Sequence, residues 1–424
     1  MRSPKTWVCG LLPLLVLYIP SINAMNDSND VRDVAEFSRR LAIFSINVYG
    51  KLSLLKSNEN VVFSPFSIQT CAAMARIGAE GQTAEELDRG LGLVSSNVTE
   101  IAESYNRVLS IYEKSNILRI ANKIYVMQDY ALNDEYNALL AQKFLSSAEN
   151  IDFGQSEKAA NAINGWVEER TNNLIKNLIP PSALNGLTRL VLVNAIHFKG
   201  TWVHKFPKHA THSELFYLND DESVNVPMMN LKDRFRYADL PDLDATALEM
   251  PYADSDLSML VILPKSKTGL QQLEKKLQSV PLSQVTDKLY STQVIVKFPK
   301  FKAEFQVELT NVFKELGMSR MFSSKAEFGK MLQSPESLQV SAVIHKAFID
   351  VNEEGTEAAA ATGVVVRKKR SAPMPPVDFY ANRPFIYAIT HREAQQGLPI
   401  FLGSVSRLSE VTLQTPSSSE HDEL

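Results

Sequence analysis

At 424 residues, 45% hydrophobic and 22% charged, the chain can bury a large globular core. A formal net charge of -4 gives no electrostatic footing for nucleic acid, and no internal period recurs that would mark a solenoid. No Gly-x-Ser-x-Gly elbow, Walker loop or His-Glu-x-x-His stretch occurs, so neither a catalytic residue, a metal nor a cofactor is expected.

Residues 1–24 have the form of a secretory signal. Arg2 and Lys5 flank an apolar run from Val8 to Ile19, and Ser21-Ile22-Asn23-Ala24 ends in a small residue suited to cleavage. The run is shorter than the roughly 20 residues a bilayer span needs. The alternative is a buried N-terminal helix. Cys9 leaves with the signal, and Cys71, alone in an apolar stretch, reads as a buried, inert thiol. Asn26-Asp27-Ser28 and Asn97-Val98-Thr99 are glycosylation sequons.

Phe37, Leu41, Phe44 and Val48 share one helical face. Thr83-Ala84-Glu85-Glu86 has the capping-box pattern and predicts a helix start. Leu190 to Ile196 and Ser258 to Leu263 predict strands buried on both faces, the second closed by Pro264. Gln293 to Phe298 predicts a strand that ends or meets an edge at Pro299. His204, His209 and His212 lie among Lys205, Pro207 and Lys208 with no Cys near, which suits a surface loop better than zinc. Helices dominate the first half and strands the second, without a βαβ rhythm, so the class is α+β. No linker divides the middle, and 25–410 is expected to form one large domain.

Two polar residues interrupt apolar strands. Asn194 shares a face with Leu190, Leu192 and Ile196; His345 shares one with Val343, Ala347, Ile349 and Val351. Left unpaired, a buried amide or imidazole costs roughly 1–3 kcal/mol. Either each is satisfied separately within the core, or they bond to one another across a sheet.

Asn352 to Pro376 differs from everything around it. Glu353-Glu354-Gly355 reads as a hinge, Thr356 to Val366 are small or β-branched apart from Glu357, and Arg367-Lys368-Lys369-Arg370 is a basic tetrad. The first part suits a segment that changes state, the second a site of cleavage before Ser371. A basic tetrad also suits an anion-binding patch, a nuclear address or a solvated loop. Beyond residue 410, Thr415-Pro416-Ser417-Ser418-Ser419 predicts a flexible tail, 411–424, ending in His421-Asp422-Glu423-Leu424. That tetrapeptide is a receptor-read retrieval address for the endoplasmic reticulum.

From about residue 34 to 408 the chain resembles the serpins. The resemblance rests on an ordered set of segments: Phe63-Ser64-Pro65-Phe66-Ser67-Ile68, Asn164-Gly165-Trp166-Val167-Glu168, and Asn194-Ala195-Ile196-His197-Phe198-Lys199-Gly200-Thr201-Trp202. Glu249-Met250-Pro251-Tyr252, the hinge from Glu353 to Ala361, Arg383-Pro384-Phe385 and Leu398-Pro399-Ile400-Phe401-Leu402-Gly403 follow. Within that family it resembles insect members directed at furin-like proprotein convertases and held by an HDEL tail. The resemblance implies three β-sheets, a shell of helices and a reactive loop, about 353–376, outside the body. It also implies that Ser64, Ser67, Asn194 and His345 form the cluster where the central sheet opens, with Trp202 near the point of loop entry.

A serpin inhibits by being cut: the freed loop inserts as a new central strand and carries the acylated protease with it before water can release it. Thr356 to Arg370 contain no proline, which a central strand would not tolerate, while Pro373, Pro375 and Pro376 lie beyond the cut. In an extended strand Thr356, Ala358, Ala360, Thr362, Val364 and Val366 fall on one face and Glu357, Ala359 and Arg367 on the other. The hinge set is Glu354, Gly355, Thr356, Glu357, Ala358, Ala359 and Ala360. Arg367, Lys368, Lys369 and Arg370 fit the convertase pattern Arg-X-Lys-Arg and place the reactive bond at Arg370-Ser371. Counting from Gly355 by the family's commonest loop length points instead to Lys369. The expected partners are a furin-like convertase held covalently, trypsin-like proteases as further targets, and the retrieval receptor. The expected state is a monomer, without membrane span or nucleic acid, in the endoplasmic reticulum and secretory pathway with some secretion. The competing function is a non-inhibitory serpin, an ER chaperone or a proprotein merely processed at the tetrad.

Overall fold

The computed structural model describes residues 28–56, 58–113, 117–334, 336–356, 375–392 and 397–410. Among them, nine α-helices cluster around two hydrogen-bonded sheets, of seven and nine strands, in a mixed α+β architecture.

The seven-stranded sheet is central. Leu118–Met127 pairs antiparallel with Leu190–Phe198, which pairs parallel with Val340–Asn352, which pairs antiparallel with Phe301–Glu308. Ala148–Ile151 lies outside Leu118–Met127, and Gly355–Thr356 lies beside the end of Val340–Asn352. Every residue of Leu190–Phe198 is buried, as the apolar run predicted. The reason is that both faces are covered. Leu190, Leu192 and Ile196 join the main core with helix Pro65–Ile77, while Val191, Val193 and Ala195 join a second core under helix Ser156–Arg170. Helix Pro65–Ile77 is itself buried at every position, so it has no polar stripe. Ser64 caps it, its Oγ accepting from Ser67 N at 3.1 Å, and Pro65 takes the first helical turn, where a missing N–H costs nothing.

Of the three sheets expected, two run together. The 18-residue strand Ser223–Leu240 pairs with His212–Tyr217 at its start, with Tyr290–Pro299 along its middle and with Ala245–Pro251 at its end. Leu257–Pro264 is buried throughout, and Pro299 closes its strand as anticipated. Phe37, Leu41, Phe44 and Val48 pack inward from helix Ser28–Leu55. The capping-box expectation at Thr83 is corrected. The helix runs Gly81–Leu91 after Glu80, without a side-chain cap. The Thr83 hydroxyl instead accepts from Glu327 N at 3.0 Å, and Glu86 accepts from Arg320 N at 2.8 Å. A tertiary loop took the groups that the local pattern assigned to the helix end.

Candidate functional site: the polar row of the central sheet

Asn194 and His345 are direct partners across the parallel ladder, and Asn122 is the direct partner of Asn194 on the opposite side. Three polar residues thus form one row across three adjacent strands. His345 Nε2 accepts from Ser64 N at 3.3 Å, which requires the ring proton on Nδ1, where it bonds to Asn194 Oδ1. The Asn194 amide donates to Ser67 Oγ and to Asn122 Oδ1, and Ser67 Oγ donates to Asn122 Oδ1 at 2.9 Å. Ser64 Oγ donates to Ile400 O at 2.6 Å, tying the row to the second sheet. Ser64, Ser67, Asn194 and His345 are wholly buried. Burial away from water lowers the His345 pKa from 6.5 to about 3, so the ring is neutral.

The structure therefore selects the second reading of the two interior polar residues: they bond to one another. Sequence reading missed Asn122. Its signal was of the same kind, an amide on a face with Ile120, Ile124 and Val126.

Above this row the sheet receives the start of the hinge. Gly355–Thr356 pairs antiparallel with Val351–Asn352 on one side and with Gly200–Thr201 on the other. The expectation that the loop leaves the body from about 353 is corrected by two strand residues: Thr356 is fully buried, its hydroxyl 3.0 Å from Tyr252 Oη. The reason is steric. Gly355 has φ +146° and lies so close that a Cβ there would sit 2.0 Å from Gly200 O. Only glycine admits that approach.

Trp202 lies beside Asn352 to Glu354. Its Nε1 donates to Asn352 O at 3.0 Å, its backbone N to Glu354 O at 2.9 Å, and its ring stacks on Tyr252 at 4.4 Å. Two carboxylates clamp the hinge. Glu353 meets Lys300 at 2.9 Å and Thr211 Oγ1 at 2.8 Å; Glu354 meets Lys205 at 2.9 Å and Lys208 at 3.4 Å. Burial pushes the Glu353 carboxyl up, but Lys300 and its hydrogen bonds hold it below the ordinary range. The Lys205 ammonium does the same for Glu354.

Glu357, Ala358, Ala359, Ala360, the tetrad Arg367, Lys368, Lys369 and Arg370, and Ser371 lie outside the described residues. So do Asn26, residues 1–24 and His421 to Leu424. The next described strand, Val377–Tyr380, pairs parallel with Tyr290–Pro299 in the second sheet. Asn97 is exposed and its Oδ1 caps helix Val98–Tyr112, accepting from Thr99 N at 2.9 Å. Cys71 is buried, which pushes its thiol up to about 12. His204 Nδ1 faces Asp233 at 2.8 Å, and no group of three or more metal-ligating side chains occurs among the described residues. No described helix is long and apolar enough to cross a membrane.

Comparison with known proteins agrees with this geometry. Residues 39–408 match the family described as serpin, serine protease inhibitor. Alaserpin of Manduca sexta is 39% identical over 365 residues, covering 85% of this chain and 91% of its own. A structure of cleaved Serpin 42Da is 62% identical, with TM-score 0.81 over 89% of this chain and 100% of that one. Serpin48, a highly specific serpin of the insect Tenebrio molitor, is 33% identical, with TM-score 0.80 over 88% of this chain and 98% of its own. Matched over residues 39–408 and 39% identical to a relative covered to 91% of its length, the chain belongs to the serpin family of serine protease inhibitors.

Proposed function

We propose that the protein is a suicide inhibitor of furin-like proprotein convertases, cut at Arg370-Ser371 and trapping the enzyme as an acyl-enzyme. The observation that carries this reading is the hinge. Thr356 is already seated between two strands, antiparallel to both, so an inserting loop has only to continue from it. Its side chain faces Tyr252 and the main core. The residues on its face, Ala358, Ala360, Thr362, Val364 and Val366, then enter that core, while Glu357 and Arg367 stay on the other side. Fifteen residues at about 3.3 Å each carry the reactive bond on the order of 50 Å.

Target choice rests on Arg367 to Arg370. Acidic subsites that pair several cations gain roughly 1.5–3 kcal/mol per contact, which favours convertases over enzymes that read one basic residue. Ser64, Ser67, Asn122, Asn194 and His345 form the latch that holds the gap shut below the hinge. The signal at residues 1–24 and the HDEL tetrapeptide support residence in the endoplasmic reticulum with partial secretion.

Incubation with furin should yield a covalent complex that survives SDS. Arg370→Ala should slow its formation by about tenfold to a hundredfold, the size of one lost charge-assisted contact. Only cleaved chain beside free, active furin would refute the inhibitory reading. Thr356→Arg places a cation in the core and should convert the inhibitor to a substrate. Cleavage should raise the melting temperature of the parent sharply and that of the variant little, as followed by circular dichroism; an unchanged parent would favour a non-inhibitory role.

Acid should loosen the latch. His345 titrates at about 3 when folded and near 6.5 when exposed, so the stability from its neutral form is complete above pH 6.5 and is lost as pH falls toward 3. At pH 5 the loss is about 2 kcal/mol. His197, lowered to about 4 chiefly by burial, acts in the same direction. Urea midpoints at pH 7.5 and 5 measure the sum, and His345→Gln should reduce the difference. Deleting residues 421–424 should move the protein from cell lysate to medium; unchanged retention would show that the tetrapeptide is not read.

A further inference from the structure

One face of the second sheet carries cations for which the loop and its gap have no use. Ser223–Leu240 sets Lys232 opposite Ile295 and Arg234 opposite Gln293, and Val377–Tyr380 sets Asp378 opposite Ile295. Directly opposed residues share a face. Val294, Val296 and Phe298 turn inward and are buried, so Gln293 and Ile295 turn outward, and Lys232, Arg234 and Asp378 turn outward with them. Those three charged residues are exposed and Ile295 is half-buried. Lys232, Ile295 and Asp378 thus form one row across three strands. Arg234 and Gln293 begin the next, at the level where Pro376 leads into Val377.

The charges around these two rows are already paired. Arg236 meets Glu249 at 2.6 Å, Lys297 meets Glu214 at 2.7 Å, and Asp233, on the inward face, meets His204 at 2.8 Å. Lys232 and Arg234 make no ion pair and no side-chain hydrogen bond among the described residues. Asp378 stands two strands from Lys232, about 10 Å across the sheet, too far for direct contact. Two unpaired cations therefore flank an apolar centre at Ile295, on a chain whose net charge is -4.

Pro376 is five residues beyond Ser371, a stretch of at most about 18 Å. A catalytic domain of about 250 residues has a radius of gyration of about 18 Å, so an enzyme holding the Arg370-Ser371 bond is large enough to reach this face. We infer that the face is a second contact surface for the target protease, in which Lys232 and Arg234 meet carboxylates on the enzyme beside its cleft and Ile295 packs between them. The inference rests on the convertase reading above: an enzyme whose subsites pair four adjacent cations carries negative charge around that cleft, and this face has the complementary sign. Cations placed beside the loop, and not in it, act on the encounter. They steer the enzyme toward the bond before it is cut and take no part in insertion.

The test is the rate at which the full-length protein inactivates furin, followed as progress curves at low and at physiological salt. The double variant Lys232→Glu, Arg234→Glu should associate about tenfold more slowly at low salt, and the gap should narrow as salt rises. The neutral pair Lys232→Gln, Arg234→Gln should fall between it and the parent. Both positions are exposed, so the melting temperatures should match, and the number of inhibitor molecules consumed per enzyme should stay the same because insertion is untouched. Equal rates for parent and double variant at low salt would overturn the inference and leave the convertase reading standing. A slower rate that does not respond to salt, or a rise in the number consumed, would also overturn it, since either places the effect outside the encounter. No covalent complex with the parent would sink the convertase reading itself, and this inference with it.

Discussion

The parallel ladder between Leu190–Phe198 and Val340–Asn352 is the constraint on which the rest depends. It runs from the Val340–Leu190 pair to the Phe348–His197 pair, with cores on both faces. A parallel pairing is slightly weaker per residue than an antiparallel one. A strand entering between the two would run antiparallel to both, as Gly355–Thr356 already does, and would replace one parallel ladder with two antiparallel ones. The uncut chain cannot complete that exchange. Thr356 is fixed in the central sheet and Val377 in the second sheet, so the segment between them is tied at both ends. On the proposed mechanism a cut between those anchors would remove the tie and leave the residues after Thr356 joined to the central sheet.

An apolar ladder alone would resist separation without specifying where it should close. The row of Asn122, Asn194 and His345 adds register. Sliding one strand by a residue would break the bond between His345 and Asn194 and strand both groups in the interior. A buried network that is fully satisfied holds one arrangement, and a partly satisfied one is costly. The row depends on a neutral ring, since His345 must accept from Ser64 N and donate from Nδ1 at once. Protonation removes the acceptor and adds a charge where the main core offers no carboxylate bonded to it.

Much of this was legible in the chain. Leu190 to Ile196 reads as a doubly buried strand because both faces are apolar. Asn194 and His345 were visible as polar breaks in apolar strands, but their bond was not, because strand pairing between residues so far apart in sequence follows from topology and not from local pattern. Asn122 was overlooked for the same reason: Lys123 beside it makes the break look like an ordinary polar pair, and only the three-strand register separates the inward amide from the ammonium that turns to Trp166. Thr83 shows the opposite failure. Its local pattern was right for a cap, but Glu327, reached only through the fold, claimed the hydroxyl.

On the proposed mechanism the hinge decides between inhibitor and substrate, because insertion would compete with hydrolysis of the acyl-enzyme. A strand that had to find the gap unaided would first lose the entropy of closing a loop. Here that loss has been met before the cut: Thr356 is bonded at the sheet, Glu353 and Glu354 are held by Lys300, Lys205 and Lys208, and Trp202 binds the backbone on the approach. Each further residue then adds ladder bonds on both sides while separating one more parallel pair. The first pair to open would be Phe348 and His197, the end of the ladder nearest Gly355–Thr356, and the Asn194–His345 row lies three pairs further on. A latch in that position would resist only an insertion already under way. On that mechanism the small side chains after Thr356 matter most, since they would have to carry the strand as far as the polar row before the ester is lost to water.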